Sequence, residues 1–182
     1  VAQGASVVIT DAVQLVDGGA VNERMATMTS DSEGNIHVVW SRNTQHLYYT
    51  MLDPRAQTVI DVTQISNGGG HRAWHPDVAI DSEDRVHVTW ANKGSQHEIL
   101  YTLLDPSLDD QDGTSADDGV ISIIEDTEVV RRQQNRDWPA LAVDSQDNVH
   151  IVWEDSYDRH DKYFQQPQIY YKFLEIDEAS RE

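Results

Sequence analysis

Apolar and polar residues alternate along most of this chain, and the alternation recurs in three closely similar stretches. They are Met28-Thr-Ser-Asp-Ser-Glu-Gly-Asn-Ile-His-Val-Val-Trp40, Val78-Ala-Ile-Asp-Ser-Glu-Asp-Arg-Val-His-Val-Thr-Trp90 and Leu141-Ala-Val-Asp-Ser-Gln-Asp-Asn-Val-His-Ile-Val-Trp153. A period of two, rich in Val, Ile and Trp, reads as a half-buried strand. Each stretch holds two such strands around a polar hinge: Glu33-Gly34-Asn35, Glu83-Asp84-Arg85 or Gln146-Asp147-Asn148, all hairpin-turn chemistry. A third strand follows in the aligned runs Leu47–Asp53, Ile99–Asp105 and Ile169–Glu175. A fourth is predicted at Thr58–Ile65 and at Val120–Val130. No segment keeps an apolar period of about 3.6 residues for three turns, so helix is not expected.

The Trp residues of the repeat stand 50 and then 63 positions apart, the longer interval holding an insert from Ser107 to Gly119. Four short strands per roughly 45–50 residues is the period of a β-propeller blade. The expectation is an all-β chain of 182 residues forming one unit, with blades over about 24–66, 74–130 and 138–177. The third copy ends after its third strand. At the other end, residues 6–16 (Val7-Val-Ile-Thr-Asp-Ala-Val-Gln-Leu) resemble a fourth strand. Propellers typically use about 4–8 blades. The reading is therefore a homodimer in which each copy lends its N-terminal strand to the other's last blade, closing a six-bladed ring and covering an edge that would otherwise invite aggregation. A piece of a longer propeller is the alternative. The chain begins at Val1 without Met, which suits a processed or excised form.

Charge narrows the partners. There are 32 acidic residues against 13 basic ones, a formal net charge of -19. Such a surface repels nucleic acid and anionic membranes, whose binding rests on Lys and Arg. The acidic residues are dispersed and only three Lys are present, which suits a high-salt or marine setting better than a metal site. There is no Cys, so disulfide and thiolate chemistry are excluded. No run of about 18–20 apolar residues is present. No cofactor motif occurs, and Asp109-Asp-Gln-Asp-Gly113 does not match the EF-hand spacing.

The phrase Trp138-Pro-Ala-Leu-Ala-Val-Asp-Ser-Gln-Asp-Asn-Val-His-Ile-Val-Trp-Glu-Asp155, followed by Ile169-Tyr-Tyr-Lys172, resembles the repeats of sialidase-superfamily (BNR-repeat-like) propellers. The resemblance covers about residues 24–175 and implies fold rather than activity, because one superfold hosts many functions. It departs from the family's Asp-box, Ser-x-Asp-x-Gly-x-Thr-Trp: Trp40 lies six residues after Gly34, and Asp84 and Asp147 stand where Gly34 does. The family's catalytic Tyr/Glu pair has no evident counterpart.

Residues present in every copy are expected to serve the blade. On that reasoning His37, His87 and His150 are packed and locally bonded, Trp40, Trp90 and Trp153 with Tyr49, Tyr101 and Tyr171 are packing residues, and Asp31, Asp81 and Asp144 fix turns. Residues that break the symmetry are the candidates for function. In a propeller, the loops entering each first strand and those between the second and third strands open on one face. The first set contains Arg24, His71, Arg72, Trp74, His75, Arg136, Asp137 and Trp138. The second contains Lys93, Asp155, Tyr157 and His160. Arg offers a planar fork for carboxylates or sulfates, and Trp74 and Trp138 offer faces for sugars. The expectation is a non-catalytic binding and assembly module whose loop face takes an anionic glycan or another small ligand. A carbohydrate-active enzyme is the alternative, either a glycosidase, with Asp137 and Asp155 as its carboxyl pair, or a polysaccharide lyase, with an Arg neutralising the substrate carboxylate and His71, His75, His160 or Tyr157 transferring protons.

Overall fold

The computed structural model of the chain describes residues 11–17, 19, 21–67, 72–94, 97–107, 121–131, 135–156 and 168–176, without the side chains of 121, 122, 125, 131, 135, 136 and 156. The described chain is all-β and has no helix. Three antiparallel sheets follow one another. The first holds β1 (Glu23–Ser30), β2 (Ile36–Arg42), β3 (His46–Leu52) and β4 (Thr58–Gln64). The second holds β5 (Ala73–Ile80), β6 (Val86–Asn92), β7 (Glu98–Asp105) and β8 (Ile121–Arg131). The third holds β9 (Asn135–Val143), β10 (Val149–Ser156) and β11 (Gln168–Leu174). Within each sheet the strands lie in chain order, so every connection is a simple antiparallel return.

Each hairpin between the first two strands closes the same way. The amides of Gly34, Asp84 and Asp147 donate to the carbonyls of Asp31, Asp81 and Asp144 at 3.2, 3.2 and 3.0 Å. All three turn residues take positive φ, at 83°, 59° and 62°. Gly and Asp are among the residues that accept this conformation most readily. The carboxylates of Asp31, Asp81 and Asp144 in turn accept from backbone amides of their own turns.

The sheets stack with a fixed sidedness. Alternation gives each sheet one face bearing the repeat His and Tyr and an opposite face bearing the repeat Trp. Val39, Leu47, Tyr49 and Met51 of the first sheet pack against Val78, Val86, Val88, Trp90 and Leu100 of the second. The pattern then repeats: Ile99, Tyr101 and Leu103 of the second sheet pack against Val149, Ile151 and Trp153 of the third. So the His/Tyr face of one sheet meets the Trp face of the next, twice. The closest approach runs through the first strands, with β5 lying against β1 on one side and β9 on the other. Asp77 of β5 stitches them, accepting from Thr27 Oγ1 at 3.3 Å and from the Leu141 amide at 2.8 Å.

This stacking leaves one face of each kind without a neighbouring sheet, although Val38 and Trp40 on the first sheet's Trp face are buried, at 8% and 3% exposed. The third sheet's His/Tyr face is uncovered: Ile169, Tyr171 and Phe173 are 74%, 59% and 45% exposed, where their counterparts Leu47, Tyr49, Ile99, Tyr101 and Leu103 are buried. The first sheet's Trp face is only partly covered. Met28 is 71% exposed, against 7% for Val78 at the same position of the second sheet. Beside Met28, Gln14, Leu15 and Val16 line, with Val38 and Trp40, an open pocket of about 340 Å³. In the segment expected as a strand over 6–16, residues 11–16 pair with no strand among the described residues, and residues 6–10 lie outside them. β11 accordingly has β10 as its one strand neighbour among the described residues.

Candidate functional site

The first strand of every sheet carries a bulge opposite the repeat Trp. The registers skip from Arg24 to Thr27, from Trp74 to Asp77 and from Asp137 to Ala140. Two residues therefore face one in each sheet: Met25-Ala26 opposite Trp40, His75-Pro76 opposite Trp90, and Trp138-Pro139 opposite Trp153. Proline suits the second position because a bulge leaves a backbone group outside the ladder. The first position is left-handed in all three, with φ of 56°, 48° and 45° at Met25, His75 and Trp138. None is Gly, so each costs on the order of 1–3 kcal/mol of local strain, held by the sheet around it.

Because the first strands adjoin, the three strained residues form a row. The His75 amide donates to Met25 Sδ at 3.3 Å, and the His75 ring stacks on Trp138 with centroids 4.7 Å apart and planes at 19°. Trp74 meets His75 edge-on at 5.7 Å. Asp137, 4% exposed, binds His75 Nδ1 through one oxygen at 2.5 Å and pairs with Lys93 Nζ through the other. The Lys93 ammonium also lies 4.8 Å from the Trp74 ring centre and 5.6 Å from that of Trp138. Backbone bonds explain how Lys93 arrives there: its amide donates to the Arg72 carbonyl at 2.9 Å, tying the β6–β7 connection to the entry of β5.

Four expected ligand residues, Trp74, His75, Asp137 and Trp138, thus come together, and Lys93 joins them. Others do not. Arg24 lines the separate pocket beside Leu15 and Val16. Arg72 is exposed, its amide bonded to Asn92 Oδ1 at 3.1 Å. Arg136 opens β9, with its side chain outside the described residues, and His71 and His160 lie outside them altogether, as does the 109–113 insert. Asp155 is 8% exposed in β10. It pairs in register with Arg136, whereas Asp137 pairs with Glu154, so alternation puts Asp137 and Asp155 on opposite faces of the sheet. They do not flank a common bond.

Chemically, the cluster is an aromatic platform over a neutralised charge set. The cation of Lys93 is already paired with Asp137, and Trp138 remains 58% exposed. Trp74 Nε1 is buried with no partner among the described residues. This arrangement suits the apolar face of a sugar or another flat uncharged ring better than an anion. Among the described residues, no group of three His, Asp or Glu side chains is placed to hold a metal ion.

The repeat His residues have a different role. His37, His87 and His150 each join the turn Asp to the repeat Tyr, with Nε2 at 3.2, 3.0 and 3.1 Å from Asp31, Asp81 and Asp144. Their Nδ1 atoms lie 2.9, 2.8 and 2.9 Å from the Tyr49, Tyr101 and Tyr171 hydroxyls. A carboxylate only accepts, so Nε2 carries the hydrogen. Burial holds His37 below its ordinary value, against the pull of Asp31, and keeps it neutral, so Nδ1 accepts from the tyrosine hydroxyl. Burial also drives Tyr49 and Tyr101 upward, which keeps both as donors. These chains are structural struts, internal to two sheets and lying on the open face of the third.

No protein-family model and no curated protein matches the chain.

Proposed function

We propose that the chain is a non-catalytic assembly module, half of a six-bladed β-propeller that a second copy completes. The observation that carries this reading is the sidedness of the stack. Two internal junctions each join a His/Tyr face to a Trp face, and one face of each kind is left over. A third junction of the same kind, made twice around a twofold axis, would bury Ile169, Tyr171 and Phe173 of one copy against Met28, Val38 and Trp40 of the other. Close approach at the first strands is the wedge geometry that a ring needs. In this reading residues 14–16 leave the pocket beside Trp40 and continue the free edge of the partner's β11.

The test uses the absence of Cys. Ser32 Oγ lies 2.6 Å from Asp84 Oδ2, and Ser82 Oγ lies 2.6 Å from Asp147 Oδ2, so these turn positions adjoin across each internal junction. Ser145 and Gly34 occupy the same positions on the two open faces. A Ser145→Cys/Gly34→Cys variant should therefore oxidise to a covalent dimer on a non-reducing gel. A ladder of higher oligomers, or no cross-link, counts against a closed pair.

A second reading concerns the loop face: the Trp138 platform binds a carbohydrate ring. Its exposed indole, stacked on His75, favours this. Trp138→Ala should lower binding to responsive glycans on an array by at least about tenfold. Unchanged binding, or no binding by the unaltered chain, removes it.

A further inference from the structure

We infer that Gly34 sets the strength of the junction between copies by withholding a carboxylate that locks both junctions inside the chain; this rests on the assembly reading above. The turn of the second sheet presents Asp84 to the turn of the first. Asp84 accepts from the Ser32 amide at 2.8 Å and from its hydroxyl at 2.6 Å. The turn of the third sheet repeats the contact on the second: Asp147 accepts from the Ser82 amide at 2.9 Å and its hydroxyl at 2.6 Å. Each is a two-pronged, charge-assisted clasp between neighbouring sheets.

At the open end the donor half of the clasp is present and the acceptor half is missing. Ser145 stands where Ser32 and Ser82 do, and its hydroxyl accepts from Gln146 Nε2 at 2.5 Å. The turn that would meet it in a second copy carries Gly34 where its two counterparts carry Asp. Conformation favours the glycine, since a side chain at φ 83° is strained, but the turn can be closed without one. All three positions have positive φ and close the same turn, and Asp84 and Asp147 do so at 59° and 62°. Space does not demand the glycine, since a Cβ on Gly34 would meet only Pro54 Cγ at 3.5 Å, an ordinary contact. What Gly34 changes is the clasp. A junction held by apolar faces without its polar lock opens more readily than the two within the chain, so copies exchange while each half stays folded.

The experiment is the dissociation constant of the pair, by sedimentation velocity in high salt, for the unaltered chain and for Gly34→Asp, Gly34→Asn and Gly34→Ala. Two clasps per ring should make Gly34→Asp tighter by about tenfold or more. Gly34→Asn keeps a neutral acceptor in a residue tolerant of the turn, and should tighten the pair less. Gly34→Ala should not tighten it, and adding Ser145→Ala to Gly34→Asp should abolish the gain. If the unaltered chain pairs but neither Gly34→Asp nor Gly34→Asn pairs more tightly, the inference is wrong. If none of the four pairs at any concentration, the assembly reading itself fails.

Discussion

Asp81→Ala should destabilise the folded chain by about 3 kcal/mol, because it removes the nearer of two carboxylates paired with a buried cation. Asp81 is the hub of the second sheet's turn. Its carboxylate accepts from the amides of Glu83 and Arg85, from Arg85 Nε at 2.6 Å and from His87 Nε2 at 3.0 Å. The Arg85 side chain is 3% exposed, and the first and third sheets carry Asn35 and Asn148 in its place. Removing the carboxylate leaves His87 without its acceptor and leaves the guanidinium with the longer, solvent-exposed pair to Glu83 Oε2 at 3.5 Å. The equivalent Asp144 is 30% exposed and partnered by Asn148 rather than Arg, so Asp144→Ala should cost much less. Urea unfolding of both variants decides this, and equal losses would contradict it.

The same carboxylate sets an acid limit. Burial alone would raise Asp81, but the bonds from His87 and Arg85 outweigh it and hold the group down at about 2. A depressed carboxylate contributes stability above its unfolded value near 4 and loses it as pH falls toward 2. Here that amounts to about 2 kcal/mol. His37 acts in the same direction from a higher pH. Being held neutral by burial, it favours the fold fully above about 6.5 and progressively less below. Stability should therefore decline from pH 6.5 downward and steepen below pH 4. A flat profile would contradict both assignments.

Ile169→Asp should leave the single chain folded and weaken its self-association by at least about 100-fold. Ile169 is 74% exposed, so an aspartate there stays in water while the chain is alone. In the proposed junction it takes the environment of Leu47 and Ile99, both fully buried, where an unpaired carboxylate is costly. The contrast is Ile99→Asp, which places the same charge inside the existing core and should unfold the protein outright. Circular dichroism and sedimentation velocity read the two effects separately. Association unchanged in Ile169→Asp would exclude the open face of the third sheet as the contact.

Strand order and the buried strands were legible because alternation and the recurring Trp, His and Tyr report a two-sided strand directly. The turns were legible because Asp31, Asp81 and Asp144 precede residues suited to left-handed backbone. The aromatic cluster was legible only in part. Trp74, His75, Asp137 and Trp138 stood out as residues that break the repeat, yet their meeting depends on stacking offsets between β5 and β9, which alternation within one strand does not encode. The bulge is one extra residue opposite Trp90 or Trp153, and its trace in the sequence is faint: Pro76 and Pro139, one place after the strained residue. Lys93 reaches the cluster through a backbone bond to Arg72, a long-range contact with no local signature. The arginines looked like a gathered anion site because they fall in corresponding connections. Arg24 instead lines the pocket beside Leu15 and Val16, and Arg72 is exposed at the entry to β5.

The whole account turns on whether the two leftover faces find each other in solution. Static light scattering of the unaltered chain, in salt high enough to screen a charge of -19 per copy, measures this directly. The account predicts a concentration-dependent rise to a plateau at twice the 20.6 kDa chain mass. A folded species that stays at the single-chain mass, however concentrated, would contradict it.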